Sequence, residues 1–313
     1  MSLSGPPVRP SLSRRVSTDF HKNKMVYLML LPVLAYFIVF CYLPMGGLVM
    51  AFQNYKIKLG FLGSKWVGLA NFKRFFESVY FGRLLKNTLM IGLKDILWTM
   101  PLTVIFALML NEVRNARFKK AVQTVTYLPY FISMVVICSL IMEFTRAGSA
   151  ISRFVGLFTG RQESLLGNPN AFQAVFVLSN VWQGLGYGAV VYLSALNAID
   201  QEQYEAAYID GTNRWQRIWH VTLPGIASTI IVMLILKVGK IMSVNYQKII
   251  LLYSSATYET ADVITSYVYR ISLSEGSDYS YGAAIGLFNS VISLLFVVLT
   301  NAVSRKTAET GLW

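Results

Sequence analysis

The chain has 313 residues, 55% of them hydrophobic and 14% charged, where ordinary soluble domains run near a quarter charged, and its mean hydropathy is positive at +0.50. Several apolar stretches reach the about 20 helical residues that a bilayer requires, which excludes an ordinary soluble domain. The formal net charge of +13 is assigned to lysines and arginines that flank membrane spans rather than to nucleic-acid binding, because no RNP, zinc-finger or helix-turn-helix pattern accompanies it.

Residues 1–24 are polar and carry Arg9, Arg14, Arg15, Lys22 and Lys24. Pro6, Pro7 and Pro10 keep the start of this segment from being helical, and it reads as a cytoplasmic tail. It is not a cleavable leader, because the apolar run that follows, 25–52, exceeds the 7–15 residues of a leader's apolar core. Six transmembrane helices are predicted in the membrane domain, 25–306, at 26–50, 85–110, 122–142, 172–196, 225–242 and 281–303. Pro32 and Pro44 in the first, Pro101 in the second and Pro129 in the third are tolerated there as kinks. Residues 307–313 form a short C-terminal tail. Cys41 and Cys138 lie inside apolar runs, far apart, and read as small buried hydrophobes rather than a disulfide or metal pair. His21 and His220 are the only histidines, so a catalytic triad or a histidine metal site has little material, and no catalysis is expected.

An even number of spans puts both termini on one side. The tail, the loop 111–120 with Arg114, Arg117, Lys119 and Lys120, and Arg305 with Lys306 share that side, and their charge assigns it to the cytoplasm. The loop between the first two spans is then external, although it too is basic, with Lys56, Lys58, Lys65, Lys73, Arg74 and Arg83.

The loop between the fourth and fifth spans, 197–224, reads NAIDQEQYEAAYIDGTNRWQRIWHVTLP and predicts two short helices. Asp200 caps the first, with Gln203 completing a capping box. Tyr204, Ala207 and Tyr208 share a face. Gly211 supplies a left-handed C-terminal cap, Thr212 caps the second helix, and Leu223-Pro224 ends it and starts the fifth span. A helix–glycine–helix knob of this kind serves either to dock a soluble partner or to lie on lipid, and the physics alone does not separate these uses.

The spacing Glu205-Ala206-Ala207, three residues, Gly211, nine residues, Val221-Thr222-Leu223-Pro224 resembles the EAA motif of ABC importer permeases, with Val221 in place of the usual isoleucine. WVGLANFKRFF at 66–76 resembles carbohydrate permeases of the maltose type. LMLNEVRNARFKKAVQTVTYLPYFIS at 108–133, YETADVITSYVYR at 258–270 and the terminal Gly311-Leu312-Trp313 resemble the polysaccharide, LplB-type branch of that family. The resemblance implies an all-α integral membrane fold of six transmembrane helices with a cytoplasmic coupling loop, in the bacterial inner membrane. It also implies an ATPase dimer that grips this loop, a second permease subunit forming a heterodimer with this chain, an extracytoplasmic solute-binding protein, and an oligosaccharide as cargo. ATP and magnesium then belong to the partner ATPase, consistent with the lack of a G-x-x-x-x-G-K-[ST] stretch here. Glu205 carries over as an interface residue and Gly211 as the turn, with Ala206, Ala207, Asp210, Leu223 and Pro224 completing the coupling set.

Ionisable residues inside spans face the bundle interior or a wet cavity. Lys86 reads as snorkelling to the interface, and Lys94 and Asp95 as pairing with other charges. Lys237 and Lys240 share a helical face. At 1.5 Å per residue, Lys237 lies about 20 Å from Pro224, past the midplane. Span four offers Asn180, Trp182, Gln183, Tyr187 and Tyr192, with Gly184, Gly186 and Gly188 allowing close helix approach. Trp182 and Tyr187 read equally well as interfacial aromatics. By the resemblance, Gln183, Gly184, Tyr187, Lys237, Lys240, Ile241 and Val244 fall at sugar-contact positions, and Asn180 joins them by its place in span four. Two lysines where the family has neutral or aromatic side chains point to an anionic, uronate-containing oligosaccharide, with a neutral one as the alternative. A secondary sugar transporter and a membrane enzyme acting on lipid-linked sugars remain as other classes. The first lacks a clear internal repeat, the second a clustered acidic or histidine site.

Overall fold

In a computed structural model, residues 19, 22–160, 163–274, 277–308 and 311–312 are described; the tail up to residue 18, His21 and Trp313 lie outside the described residues. Helix α1, Lys24–Phe52, is continuous but not uniform. Pro44 has no amide hydrogen for the carbonyl four residues back, and the chain widens into a π turn at Ile38–Tyr42 just before it, closed by Leu43 N–H on the Ile38 carbonyl. Three α1 segments, Lys24–Phe37, Ile38–Tyr42 and Leu43–Met45, bury no residue. Only its last turns, Gly46–Phe52, reach the body of the protein, through Ala51. Cys41 is therefore exposed and Cys138 alone is buried, correcting the expectation for the first.

A small cap follows. Strands β1, Gln53–Asn54, and β2, Lys65–Trp66, pair antiparallel around α2, Gly60–Gly63. Helix α3, Ala70–Phe76, buries Phe75, and Asn71 donates to the Ala51 and Gln53 carbonyls, tying this cap to the end of α1. Helix α4, Phe81–Glu112, is the second span.

The third span is not the single helix expected at 122–142. Helix α5, Ala116–Phe131, and α6, Met134–Thr145, meet at 102° across a two-residue break. Pro129 lies in the last turn of α5, and Ser133 caps α6 by accepting from Val136 N–H. A proline that releases a carbonyl next to a good N-cap residue ends one helix and starts another. Among the described residues five helices are long and apolar enough to span a bilayer, or six with this bent pair.

Helix α7, Ala150–Thr159, leads to α8, Pro169–Asn197. The knob follows as α9, Gln201–Ile209, and the fifth span as α10, Arg214–Gly239. Short helices α11, Tyr246–Leu252, α12, Tyr258–Ala261, and α13, Ile264–Tyr269, precede the last span, α14, Tyr279–Ala308.

Helices α4 and α8 form the central pair. Gly186 lets α8 approach α5 so closely that a Cβ there would collide with the Thr126 carbonyl. Two apolar cores lie toward the α11–α13 end, around Ile91, Phe172 and Phe176 and around Phe75, Leu84 and Tyr267. A third, around Val104, Tyr192 and Ile226, lies toward the knob. Along α4 and α8 the side chains between these cores are polar: Asp95 and Thr99 on one helix, Asn180 and Gln183 on the other.

Candidate coupling knob and transmembrane cavity

The knob is built by local sequence. Asp200 caps α9 by accepting from Glu202 N–H at 3.0 Å; the capping box expected with Gln203 is absent from the capping bonds. The reciprocal box forms one helix later, between Asn213 and Gln216. Thr212 is not the cap of that helix, because its hydroxyl and its amide both bond the Ala207 carbonyl. That amide bond and the one from Gly211 N–H to the Tyr208 carbonyl are the two that close a helix through a left-handed residue. Gly211 holds φ at +73°, which a Cβ disfavours.

Leu223-Pro224 does not separate the second knob helix from the fifth span, contrary to expectation. Helix α10 runs unbroken from Arg214 to Gly239. A π turn at Ile218–Thr222 absorbs Pro224, closed by Leu223 N–H on the Ile218 carbonyl, as Pro44 is absorbed in α1. Thr222 Oγ1 also donates to the Arg217 carbonyl within this turn, at 3.3 Å. Ala207 is buried, and the Tyr204 hydroxyl donates to Thr222 Oγ at 3.1 Å, pinning α9 to this turn. Tyr208 does not join that face: it is 74% exposed, with Ile209 at 84% and Trp215 at 73%. Glu205, Ala206 and Asp210 are also exposed. The knob thus presents an apolar tip with acidic neighbours, the kind of surface that marks a protein contact. Arg214 Nε lies 3.7 Å from Glu112 Oε2, so the basic loop 111–120 and the knob occupy the same end of the bundle.

The polar belt opens into two adjoining cavities. The first, of about 410 Å³, is lined by Asp95, Asn180, Lys237, Lys240 and Asn245 among others. The second, of about 530 Å³, is lined by Asp95, Thr99, Tyr130, Asn180, Gln183 and Gly184 among others. Asp95, Asn180 and Asn245 border both. Five of the six substrate residues expected from the sequence therefore meet here. The sixth, Tyr187, lies behind Tyr130, its ring stacked at 4.0 Å and 9°. Ile241 and Val244 reach the first cavity but are largely buried in the apolar cores. Trp182 faces away, into a separate apolar groove with Leu140 and Phe144.

Among the described residues Lys94 and Asp95 do not form the expected pairs with opposite charges within 4.0 Å. Lys94 Nζ donates to Gln173 Oε1 at 2.7 Å, and Asp95 Oδ1 accepts from Asn180 Nδ2 at 2.9 Å. Sequence reasoning missed Lys248 altogether. It is fully buried on α11, and its ammonium donates to Asn180 Oδ1 at 2.7 Å and Gln183 Oε1 at 3.4 Å. The signal was a lysine directly before the apolar run 249–252, outside every predicted span. Among the described residues Lys237, Lys240 and Lys248 make no ion pair.

A model of the family of binding-protein-dependent transport system inner membrane components matches residues 25–309. The chain is 41% identical over 293 residues to protein LplB of Bacillus subtilis strain 168, covering 93% of this chain and 92% of that one. It is 39% identical over 301 residues to the polygalacturonan/rhamnogalacturonan transport system permease protein YteP of the same strain, covering 96% and 94%. Among solved structures it resembles a chain of a bacterial ABC transporter involved in the import of the acidic polysaccharide alginate, with a TM-score of 0.85, 38% identity, and coverage of 94% and 99%. A bacterial alginate ABC transporter in complex with its pentasaccharide-bound periplasmic protein is similar at a TM-score of 0.86 and 38% identity, covering 95% and 100%.

Proposed function

The chain belongs to the family of binding-protein-dependent transport system inner membrane components, and from that premise we propose that it forms half of an import path for acidic, uronate-containing oligosaccharides. It is a permease subunit of an oligosaccharide ABC importer, a transport chain rather than an enzyme. The observation that carries the acidic reading is the charge of the first cavity: Lys237 and Lys240 line it, Asp95 is the only acid there, and neither lysine is neutralised by an ion pair among the described residues. Lys237 is half-buried and Lys240 exposed; a cation partly withdrawn from water favours an anion beside it, and a carboxylate on each sugar unit supplies one. The substrates for which YteP and the alginate transporter are named, polygalacturonan, rhamnogalacturonan and alginate, support the same reading.

The motor reaches this cavity through one helix. The exposed knob, with Glu205, Asp210 and the Gly211 turn, sits in a groove of a partner ATPase on the cytoplasmic side, where both termini also lie. Because α10 is continuous from Arg214 to Gly239, a rigid-body pull on the knob moves Lys237 and the cavity wall with it. A second permease completes the path, and an extracytoplasmic binding protein delivers the sugar. ATP and magnesium act on the ATPase partner.

Proteoliposomes holding the assembled transporter test the charge reading. The Lys237→Gln/Lys240→Gln double variant is expected to lose at least about tenfold in transport of an oligogalacturonide while copurifying normally with its partners. Wild-type transport by the double variant removes the acidic reading. Loss of assembly instead assigns the lysines to contacts with the second permease.

A further inference from the structure

Lys248 is the most costly residue in the site to keep. Its side chain is wholly buried, on a short helix flanked by Ile249 and Leu252 of an apolar core. A lysine ammonium in such a place carries a desolvation cost that a methionine of similar volume would not. Two of its protons go to the Asn180 and Gln183 side-chain oxygens, at 2.7 and 3.4 Å, and the Phe176 ring lies 5.7 Å away. No carboxylate is within ion-pair distance among the described residues. The charge is thus held by dipoles and a ring face, and it faces Asp95 across the Asn180 amide, one hydrogen bond on each side.

The position of that charge is what gives it a use. Asn180 and Gln183 line the cavities, and Lys248 stands directly behind them. It also fixes how the Asn180 amide faces. Asn180 Oδ1 accepts from Lys248 and Asn180 Nδ2 donates to Asp95, and a flipped amide would set donor against ammonium and oxygen against carboxylate. Without Lys248, the amide loses its anchor on one side, and Asp95 stands alone as a negative charge between the cavities.

We propose that Lys248 is a positioning residue for charge selectivity: from behind the cavity wall it locks the Asn180 amide onto Asp95 and offsets the Asp95 charge, so that Lys237 and Lys240 leave the cavity net positive toward carboxylate-bearing sugars. It touches no substrate. A buried charge acts through a low dielectric and is little screened by salt, so one side chain's width does not abolish its pull. This rests on the reading of the cavity as the path of an acidic oligosaccharide. Lys237 and Lys240 then meet the carboxylates directly, and Lys248 sets the preference for charge over its absence.

The test compares an oligogalacturonide with its fully methyl-esterified form, equal in length and linkage but uncharged, in the reconstituted transporter with its binding protein. The same binding protein serves every variant, so its own preference cancels when variants are compared. Lys248→Met and Lys248→Gln are expected to assemble as wild type, to raise KM for the acidic sugar, and to lower the acid-to-ester ratio of kcat/KM about tenfold. Lys248→Arg, which keeps the charge, is expected to retain more of that ratio than either. Equal loss on both sugars, or an unchanged ratio, overturns the proposal, as does failure of both neutral variants to assemble, which makes Lys248 a folding group. If wild type itself prefers the ester, the acidic reading of the cavity has failed, a result distinct from a wild-type preference for acid that Lys248 variants leave untouched.

Discussion

Asp262 is wholly buried and faces two guanidinium groups, Arg270 at 2.6 Å and Arg83 at 3.8 Å. Burial disfavours the charged form of Arg270, but hydrogen bonding and charge from Asp262 outweigh it and hold its pKa above the ordinary arginine value. Asn87 adds a bond to the Asp262 carbonyl at 3.0 Å, tying α4 to the α12–α13 connection. The YETADVITSYVYR segment is therefore a clasp that fixes the end of the bundle opposite the knob. Asp262→Asn leaves two guanidinium groups against one neutral amide and is expected to cost about 3–5 kcal/mol, read as a lowered Tm of the purified complex. Gly186 is the second residue where one atom decides the outcome. Gly186→Ala drives a Cβ into the Thr126 backbone and is expected to cost about 1–3 kcal/mol, read in the same melt.

Among elements, α9 and α10 carry the proposed coupling. The knob is held by a buried Ala207, the Tyr204–Thr222 hydrogen bond and the left-handed Gly211. Gly211→Val strains the turn by about 1 kcal/mol or more and re-aims the exposed Tyr208 and Ile209, so weaker copurification of the ATPase is the expected result. The rigidity of α10 is tested separately. Two glycines inserted between His220 and Val221 add flexibility inside the lever, and transport is expected to fall at least about tenfold per ATP hydrolysed, while the ATPase still binds. Unchanged transport per ATP would show that motion reaches the cavity by another route. The two π turns argue that such prolines are accommodated without breaking a helix: each Leu-Pro pair, 43–44 and 223–224, follows a five-residue widened turn.

For the whole molecule, the uneven cover of the spans is informative. The most apolar 18 residues of α1 bury none of their length, whereas a third of the equivalent window in α4 is buried. The bare face of α1 is where the second permease is expected to pack. Ala35→Cys, on that exposed stretch, should crosslink to the second permease in the assembled transporter, and crosslinking only to lipid-phase reagents would assign the face to the bilayer. The cavities, by contrast, lie among α4, α5, α6, α8, α10 and the 240–245 turn of this chain, so the half-site proposed for it is formed from its own residues.

The membrane class, the long spans and the knob were legible in the sequence because each is written in contiguous residues: apolar length for the spans, and the spacing from Glu205 through Gly211 to Pro224 for the knob. Local capping was legible only in kind, since Asp200, Thr212 and Asn213 can all accept or donate at a helix end, and packing of α9 on α10 chose among them. The break at Ile132–Ser133 and the passage of α10 through Pro224 depended on how the chain accommodates the nearby proline, by a break or by a widened turn. Lys237, Lys240, Asn180 and Gln183 stood out because a polar group in an apolar run is costly wherever it lies. Lys248 did not, since it sits outside any span and acquires its meaning from side chains more than 60 positions away. A chain's own order fixes what each segment buries; which charges come to share one cavity is decided only when the helices pack, because electrostatic coupling depends on distance in space and on the water excluded between groups.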